Sequence, residues 1–234
     1  MDTVIDIDFD FRRDTPPNKD VDACSKTLKA YHRKLWSKLL PDGLKLTLEE
    51  KGYLYHKSHL GEFYLGSDAI THSYKGTKRL LTITAKVPEA VENLFIQGNK
   101  IAAYTLFPSK QVNRKFTINQ ARGVNAKIGD RFDLTLECIR LFYEGEDSPL
   151  TDAFNRYESF FSLFADFKGY VEFFLFQDLV SEDFSSVRFH LPFGGFSGSP
   201  FPNNVDEYLE YAKNTEIFLK ARGQRMLNGF VESS

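Results

Sequence analysis

FTINQARGVNAKIGDRFDLTLECIRLFYEG, residues 116–145, is the stretch on which the fold turns. In Phe116-Thr117-Ile118-Asn119 apolar and polar residues alternate, which predicts a short strand with Thr117 and Asn119 on one face. Arg122-Gly123 interrupts the chain, and Asn125 can cap the helix beyond it. Stepping about 100° per residue from Ile128, the residues Phe132, Leu136, Ile139 and Tyr143 continue one apolar wall. Leu134, Cys138 and Leu141 line a second, leaving a narrow arc to Asp130, Asp133, Glu137 and Arg140. A helix apolar over most of its circumference is a buried helix, expected here over about 127–144. Arg131 falls inside the apolar arc beside Cys138 and Phe142, so it needs an acidic or backbone partner.

Outward from this unit, strands and helices are interspersed without a βαβ rhythm. Val4 to Phe11 alternates like a half-buried strand, and Asp22 or Ser25 can cap a helix running to Leu40. Residues 44–85 read as short strands, the clearest being Leu80 to Ala85, with a helical turn next from Pro88 to Phe95. Lys100 to Phe107, Tyr170 to Leu175 and Val187 to Leu191 read as further strands. Ser148-Pro149 opens a Phe-rich helix, Pro192 to Pro202 is a loop, and a last helix runs from Val205 to Met226. The expected architecture is α+β, one domain over 1–234, with a mixed or antiparallel sheet packed against the buried central helix and further helices.

A hydrophobic content of 42%, with 26% charged residues, is that of a soluble globular chain. The 23 Phe and 11 Tyr are unusual and point to a stiff aromatic core. A net charge of −2 argues against a nucleic-acid partner. The basic helix with Lys26, Lys29, Arg33, Lys34 and Lys38 reads as a solvated face, since Tyr31 lies on its core side and the acidic run Asp2 to Asp10 is close in sequence. Two cysteines, Cys24 and Cys138, are too few for a disulfide framework and suit a cytoplasmic protein. The acidic start lacks the pattern of a signal peptide, and no window has the length of a membrane span.

Several blocks together resemble a bacterial family of domains of unknown function. They are Asp10-Phe11-Arg12 with Asp14-Thr15-Pro16, Tyr31-His32 with Leu35-Trp36-Ser37-Lys38, and Thr117-Ile118-Asn119 with Ala121-Arg122-Gly123. Asp130 to Arg140 and Gly169-Tyr170-Val171-Glu172-Phe173-Phe174 complete the set, so that the resemblance covers nearly the whole chain. It implies a single domain of bacterial, cytosolic type and transfers no activity, cofactor or catalytic residue.

Two groups of residues can carry chemistry. Arg12 and Arg13 near the N-terminus, with Asn119 and Arg122 at the turn, have the makings of a site for phosphate or carboxylate. The competing account pairs these arginines, and Arg131, with Asp130, Asp133 and Glu137 as an ion-pair network. The second group is His56, His59 and His72: the first two are spaced as ligands on one helical face, but in a strand they face opposite ways, and a metal site needs a third ligand and a second shell, so no metal and no cofactor are expected. Tyr55-His56-Lys57-Ser58 with Phe63-Tyr64 and Ser73-Tyr74 is similar to the His and Tyr strands of ADP-ribosyltransferases, with Glu172 or Glu182 as the implied acid. The loop Gly194 to Ser199 lacks the Gly-Lys-Ser/Thr ending of a phosphate-cradling loop.

These residues admit three function classes. The first is a binding or regulatory module for a small anionic, nucleotide-like ligand held by Arg12, Arg13, Asn119 and Arg122. The second is an enzyme on a nucleotide or phosphorylated substrate, by ADP-ribosyl transfer or phosphoester chemistry, with His32, His56 or Glu172 as acid or base. The third is a protein-interaction module presenting Phe193, Phe196 and Phe201 to a protein partner.

Overall fold

Apolar and aromatic residues concentrated in Leu54–Ser58 (β1) and Gly61–Ala69 (β2) close a hairpin through His59-Leu60, with Leu54 opposite Leu65 and Ser58 opposite Gly61. In the computed structural model, which describes residues 4–231, Tyr104–Pro108 (β3) joins the other edge of β2, pairing antiparallel from Ala69↔Tyr104 to Leu65↔Pro108. The result is a three-stranded antiparallel sheet in the order β1-β2-β3, and every residue of β3 is buried. With the helices around it, the fold is a single α+β domain.

Before the sheet come Val21–Cys24 (α1) and Lys26–Trp36 (α2). Ser25 caps α2 by accepting from the Leu28 amide, and the Asp14 carboxylate accepts from the Ser25 hydroxyl and the Thr27 amide at 2.6 and 2.8 Å. Leu81–Thr84 (α3) and Pro88–Gln97 (α4) fill the crossover from β2 to β3, with Pro88 in the first turn where its missing N–H costs nothing. Ile118–Val124 (α5), Phe132–Glu144 (α6), Thr151–Asn155 (α7), Glu158–Phe161 (α8) and Phe167–Phe174 (α9) come next, and Val205–Val231 (α10) closes the described chain.

The phenylalanines account for themselves in the core. Phe160, Phe164, Tyr170, Phe173 and Phe174 form a continuous block of tilted and edge-to-face rings with neighbouring centroids 5.0–5.3 Å apart. A smaller cluster of Tyr74, Leu80, Leu94, Leu191, Tyr208 and Tyr211 adjoins it. Helix α10 serves both, the first through Phe218, Leu219 and Met226, the second through Tyr208 and Tyr211. Arg222 pins the helix down: it is fully buried, donates to the carbonyls of Phe174, Ala102 and Tyr104, and stacks 4.4 Å from the centre of the Phe176 ring.

The buried helix is where the sequence puts it, but shorter. Phe132 to Ile139 are all buried, and the segment before Phe132 is a turn rather than helix. Arg131 has extended dihedrals as the residue before the first turn, and Asn125 ends α5 instead of starting α6. The strand expected at Phe116–Asn119 is instead a helix start. Thr117 Oγ1 accepts from the Gln120 amide and Gln120 Oε1 from the Thr117 amide, a reciprocal box that commits the chain to α5.

Other expected strands are also helical or irregular. Leu80–Ala85 becomes a 3-10 turn and α3, with Leu80 and Thr84 facing inward and Thr84 Oγ1 donating to the Leu80 carbonyl. Tyr170–Leu175 lies on α9, capped by Asp166, because a continuous apolar run suits a buried helix as well as a buried strand. At Gly169 only hydrogen fits, since a Cβ there would collide with the Phe164 carbonyl oxygen. Of Val187–Leu191 only Val187 pairs, as a bridge to Val180. Val4–Phe11 has the expected alternation, with Ile5 and Phe11 buried and Ile7 and Phe9 partly so, but it has no strand partner among the described residues. Asp2, at the head of that acidic run, lies outside the described residues.

Candidate functional site

A cavity of about 710 Å³ opens between the N-terminal segment, the end of β2 and helix α4. Its rim is basic. Phe11 is buried and donates its amide to the Asn99 carbonyl, which anchors the 3-10 turn Phe11–Asp14 and sets Arg12 at the opening. The Arg12 guanidinium lies 5.0 Å from the Phe95 ring centre and bonds Asp10 through Nε and Nη2, leaving Nη1 without a hydrogen-bond partner among the described residues. Lys75 is placed 4.5 Å from the same ring and donates to Glu92 at 2.6 Å. Phe95 is thus flanked by two cations.

The depth of the cavity is acidic and poorly satisfied. Asp22, on α1, packs against β2. Burial pushes its carboxyl up to about 7, and the neighbouring Asp20 adds to the rise against the Ala69 amide and Arg122. Behind it Asp68, only 7% exposed, is pushed well above the carboxylate range by burial; Arg122 pulls it down while Asp22 and Asp130 push it further up. Tyr104, 3% exposed, lines the same space, and its hydroxyl makes no hydrogen bond among the described residues; the buried Thr71 hydroxyl is likewise unbonded among them. His72 accepts from the Tyr74 amide at Nδ1, 2.8 Å away, so the neutral ring carries its proton on Nε2. Burial lowers the His72 pKa, with Asp130 opposing and Arg122 assisting.

Arg122 and Asn119 lie outside the cavity lining, and Arg122 fixes the Ala69 carbonyl at its edge. Arg122 is 1% exposed and every nitrogen donates within the protein: Nε to Thr135, Nη1 to the Ala69 carbonyl and Asn119, Nη2 to the Asp130 carbonyl. Asp130 completes an ion pair at 3.1 Å. The turn presenting Asp130 has left-handed backbone at both Gly129 and Asp130, with Tyr74 donating to the Gly129 carbonyl. A Cβ at Gly129 would press on Pro200 and Phe201 at 2.8 Å.

A separate charged centre lies at the start of α6. Arg131 binds Asp133 through two nitrogens and donates to the Pro200 carbonyl, while Asp133 also accepts from the His190 amide at 2.9 Å. Burial alone would raise the Asp133 carboxyl, but His190, the permanently charged Arg131 and these hydrogen bonds hold it below the ordinary value. The partner demanded by Arg131 is therefore the acid two residues on.

Of the four residues expected to bind an anion, only Arg12 lines the cavity; Arg122 sits outside the lining, bonded to the Ala69 carbonyl and to Asn119, and Arg13 is exposed elsewhere. The histidines and Glu172 occupy separate places. His32 is wholly buried: Trp36 donates to its Nδ1, so Nε2–H faces Ser67 Oγ at 2.9 Å and the ring cannot take the serine's proton. His56 donates from Nδ1 to the Thr47 carbonyl and stacks on Phe63, and His59 is exposed in the hairpin loop. Glu172 is exposed on α9 beside Lys168. The sequence did not single out Asp22 as more than a helix cap, nor His72, Lys75, Phe95 or Tyr104 as cavity residues; they come from four segments and carry no common motif.

On the basic helix Arg33 pairs with Glu50 at 2.7 Å, Lys29 lies over the Tyr53 ring and Lys38 over Trp36 and Phe173. The Tyr31 hydroxyl accepts from the Asp6 amide. Phe193 and Phe196 pack partly buried against the core, and Phe201 against Tyr74. Cys24 and Cys138 are both free thiols. Among the described residues no three His, Cys, Asp or Glu side chains converge as a metal site, and no helix is long and apolar enough to cross a membrane.

The sequence profile of a family of unknown function, DUF6994, matches residues 5–226. No curated protein and no solved structure matches the chain.

Proposed function

The chain belongs to the DUF6994 family, and we propose that it is a binding or regulatory module whose cavity at Arg12 and Lys75 takes a small anionic, nucleotide-sized ligand. One observation carries this reading: Arg12 and Lys75 flank Phe95 at the mouth of a space of about 710 Å³, each with donors to spare. That volume lies within the range of small-ligand sites, about 300–1,000 Å³. Arg12 supplies Nη1 and Lys75 its remaining ammonium protons, while Phe95 offers a face beside them. Arg122, bonded to Asn119, serves the ligand indirectly, by fixing the Ala69 carbonyl at the cavity edge. The free thiols suit the cytosolic, bacterial-type setting that belongs to this proposal.

The experiment is a thermal-shift panel of nucleotides and phosphorylated metabolites, since a ligand of the native state raises its melting temperature. A hit whose stabilisation is lost in Arg12→Ala/Lys75→Ala supports the reading; a broad panel without a shift removes it. An enzyme acting on the same ligand class is the second reading. It is favoured by Asp22 and His72, an acid and a base lining one cavity, the first raised to about 7 by burial and the second lowered by it, so that a protonated acid and a neutral imidazole share the space. Turnover of a hit, abolished by His72→Ala, distinguishes it from binding alone.

A further inference from the structure

The acidic end of the cavity contains polar groups that the protein itself does not use. Among the described residues no side chain donates to the Asp22 carboxylate, and Asp68, outside the cavity lining, has no hydrogen-bonding side-chain partner either. Tyr104 lines the space with a hydroxyl that is unbonded among the same residues. Carboxylates and phenols taken out of water are ordinarily satisfied by partners. Here the partner is missing on the cavity side.

We propose that the Asp22 end of the cavity recognises an N–H donor edge of guanidine or guanine type, so that the ligand is bipolar, with its anionic group at Arg12 and Lys75. The proposal rests on the reading of the cavity as a ligand site and names the class of ligand. A carboxylate presents two acceptor oxygens, which a pair of parallel N–H groups satisfies at once. Tyr104 completes the edge with one further hydroxyl. The charge balance agrees: Arg12 and Lys75 are offset by Asp10 and Glu92, and Lys19 on the same lining offsets one of Asp20 and Asp22, which leaves one acid in excess. A divalent cation fits less well, because the acids do not converge as a metal-binding group among the described residues. With the Asp22 carboxyl pushed up to about 7, a pair of N–H donors, charged or neutral, needs both oxygens as acceptors and so expels the carboxyl proton on binding near neutral pH.

The test is calorimetric titration of the full chain with agmatine, guanosine monophosphate and inorganic phosphate at pH 7, in two buffers of different ionisation enthalpy. Agmatine and guanosine monophosphate are expected to bind with proton release, and to weaken by about tenfold or more in Asp22→Asn, which also abolishes the release. Arg12→Ala/Lys75→Ala is expected to weaken phosphate and guanosine monophosphate but to leave agmatine unchanged. Should Asp22→Asn melt early, Tyr104→Phe removes a hydroxyl that is unbonded among the described residues and is expected to weaken agmatine several-fold. Failure of agmatine and guanosine monophosphate to bind, or binding indifferent to Asp22→Asn and Tyr104→Phe, overturns the inference. Agmatine binding that depends on Asp22, with no binding of phosphate, keeps it and removes the anion site. Phosphate binding that depends on Arg12 and Lys75, with none of agmatine or guanosine monophosphate, does the reverse.

Discussion

The start of α6 and the depth of the cavity both take an aspartate out of water, and the surroundings treat the two acids in opposite ways. Asp133 meets a guanidinium through two bonds and a backbone amide, and its carboxyl is held below the usual range. Asp22 meets one backbone amide, another acid and open space, and its carboxyl rises to about 7. Burial acts on both alike, so the partner decides the sign. An acid whose partner is supplied holds the fold together. One whose partner is withheld lowers stability at neutral pH, and such positions are where function is commonly found.

The contrast breaks first at Arg131. Arg131→Ala leaves Asp133 buried without its cation and should cost about 3–5 kcal/mol. Urea denaturation measures it, and a loss below about 1 kcal/mol would make the pair no more than a surface bridge.

Asp22→Asn should do the opposite, stabilising by about 1–3 kcal/mol at pH 7 and above. The sign comes from the raised carboxyl, from an ordinary 3.8 to about 7. Between those values the folded state keeps a proton that the unfolded chain has lost, so wild-type stability falls as pH climbs through the window. Melting temperatures from pH 4 to 8 should therefore diverge between wild type and Asp22→Asn as pH rises. Parallel curves would mean that Asp22 titrates like a solvated acid.

The smallest effect is expected at the rim. Arg12→Ala removes an exposed pair with Asp10 and should change stability by less than about 0.5 kcal/mol, while weakening an anionic ligand. A large destabilisation would move Arg12 from the rim to the scaffold.

Much of α6 was legible in the sequence because a wide apolar arc at helical period has one stable resolution, burial. The demand of Arg131 for a partner was legible too, since an unpaired buried charge is intolerable wherever it lies. The box closed by Thr117 and Gln120 was also there to be read, in a threonine with a glutamine three residues on. Alternation over four residues of Phe116–Asn119 is a weaker signal than those two reciprocal bonds. Tyr170–Leu175 was different: a nearly continuous apolar run is buried in helix or strand alike, so no periodicity survives to choose between them.

By itself, then, the sequence determined an α+β chain with a Phe-dense core, a buried charged helix and no shared motif for a catalytic site. These depend on composition and local spacing, which are properties of the chain. Only the tertiary structure decided that residues 12, 22, 72, 75, 95 and 104 surround one space, that Arg122 spends its donors within the protein, and that Asp22 is left without a side-chain donor among the described residues. Hydrogen-bond satisfaction and desolvation depend on groups distant along the chain, and the same aspartate is a helix cap, half of an ion pair or a waiting acceptor according to what folds against it.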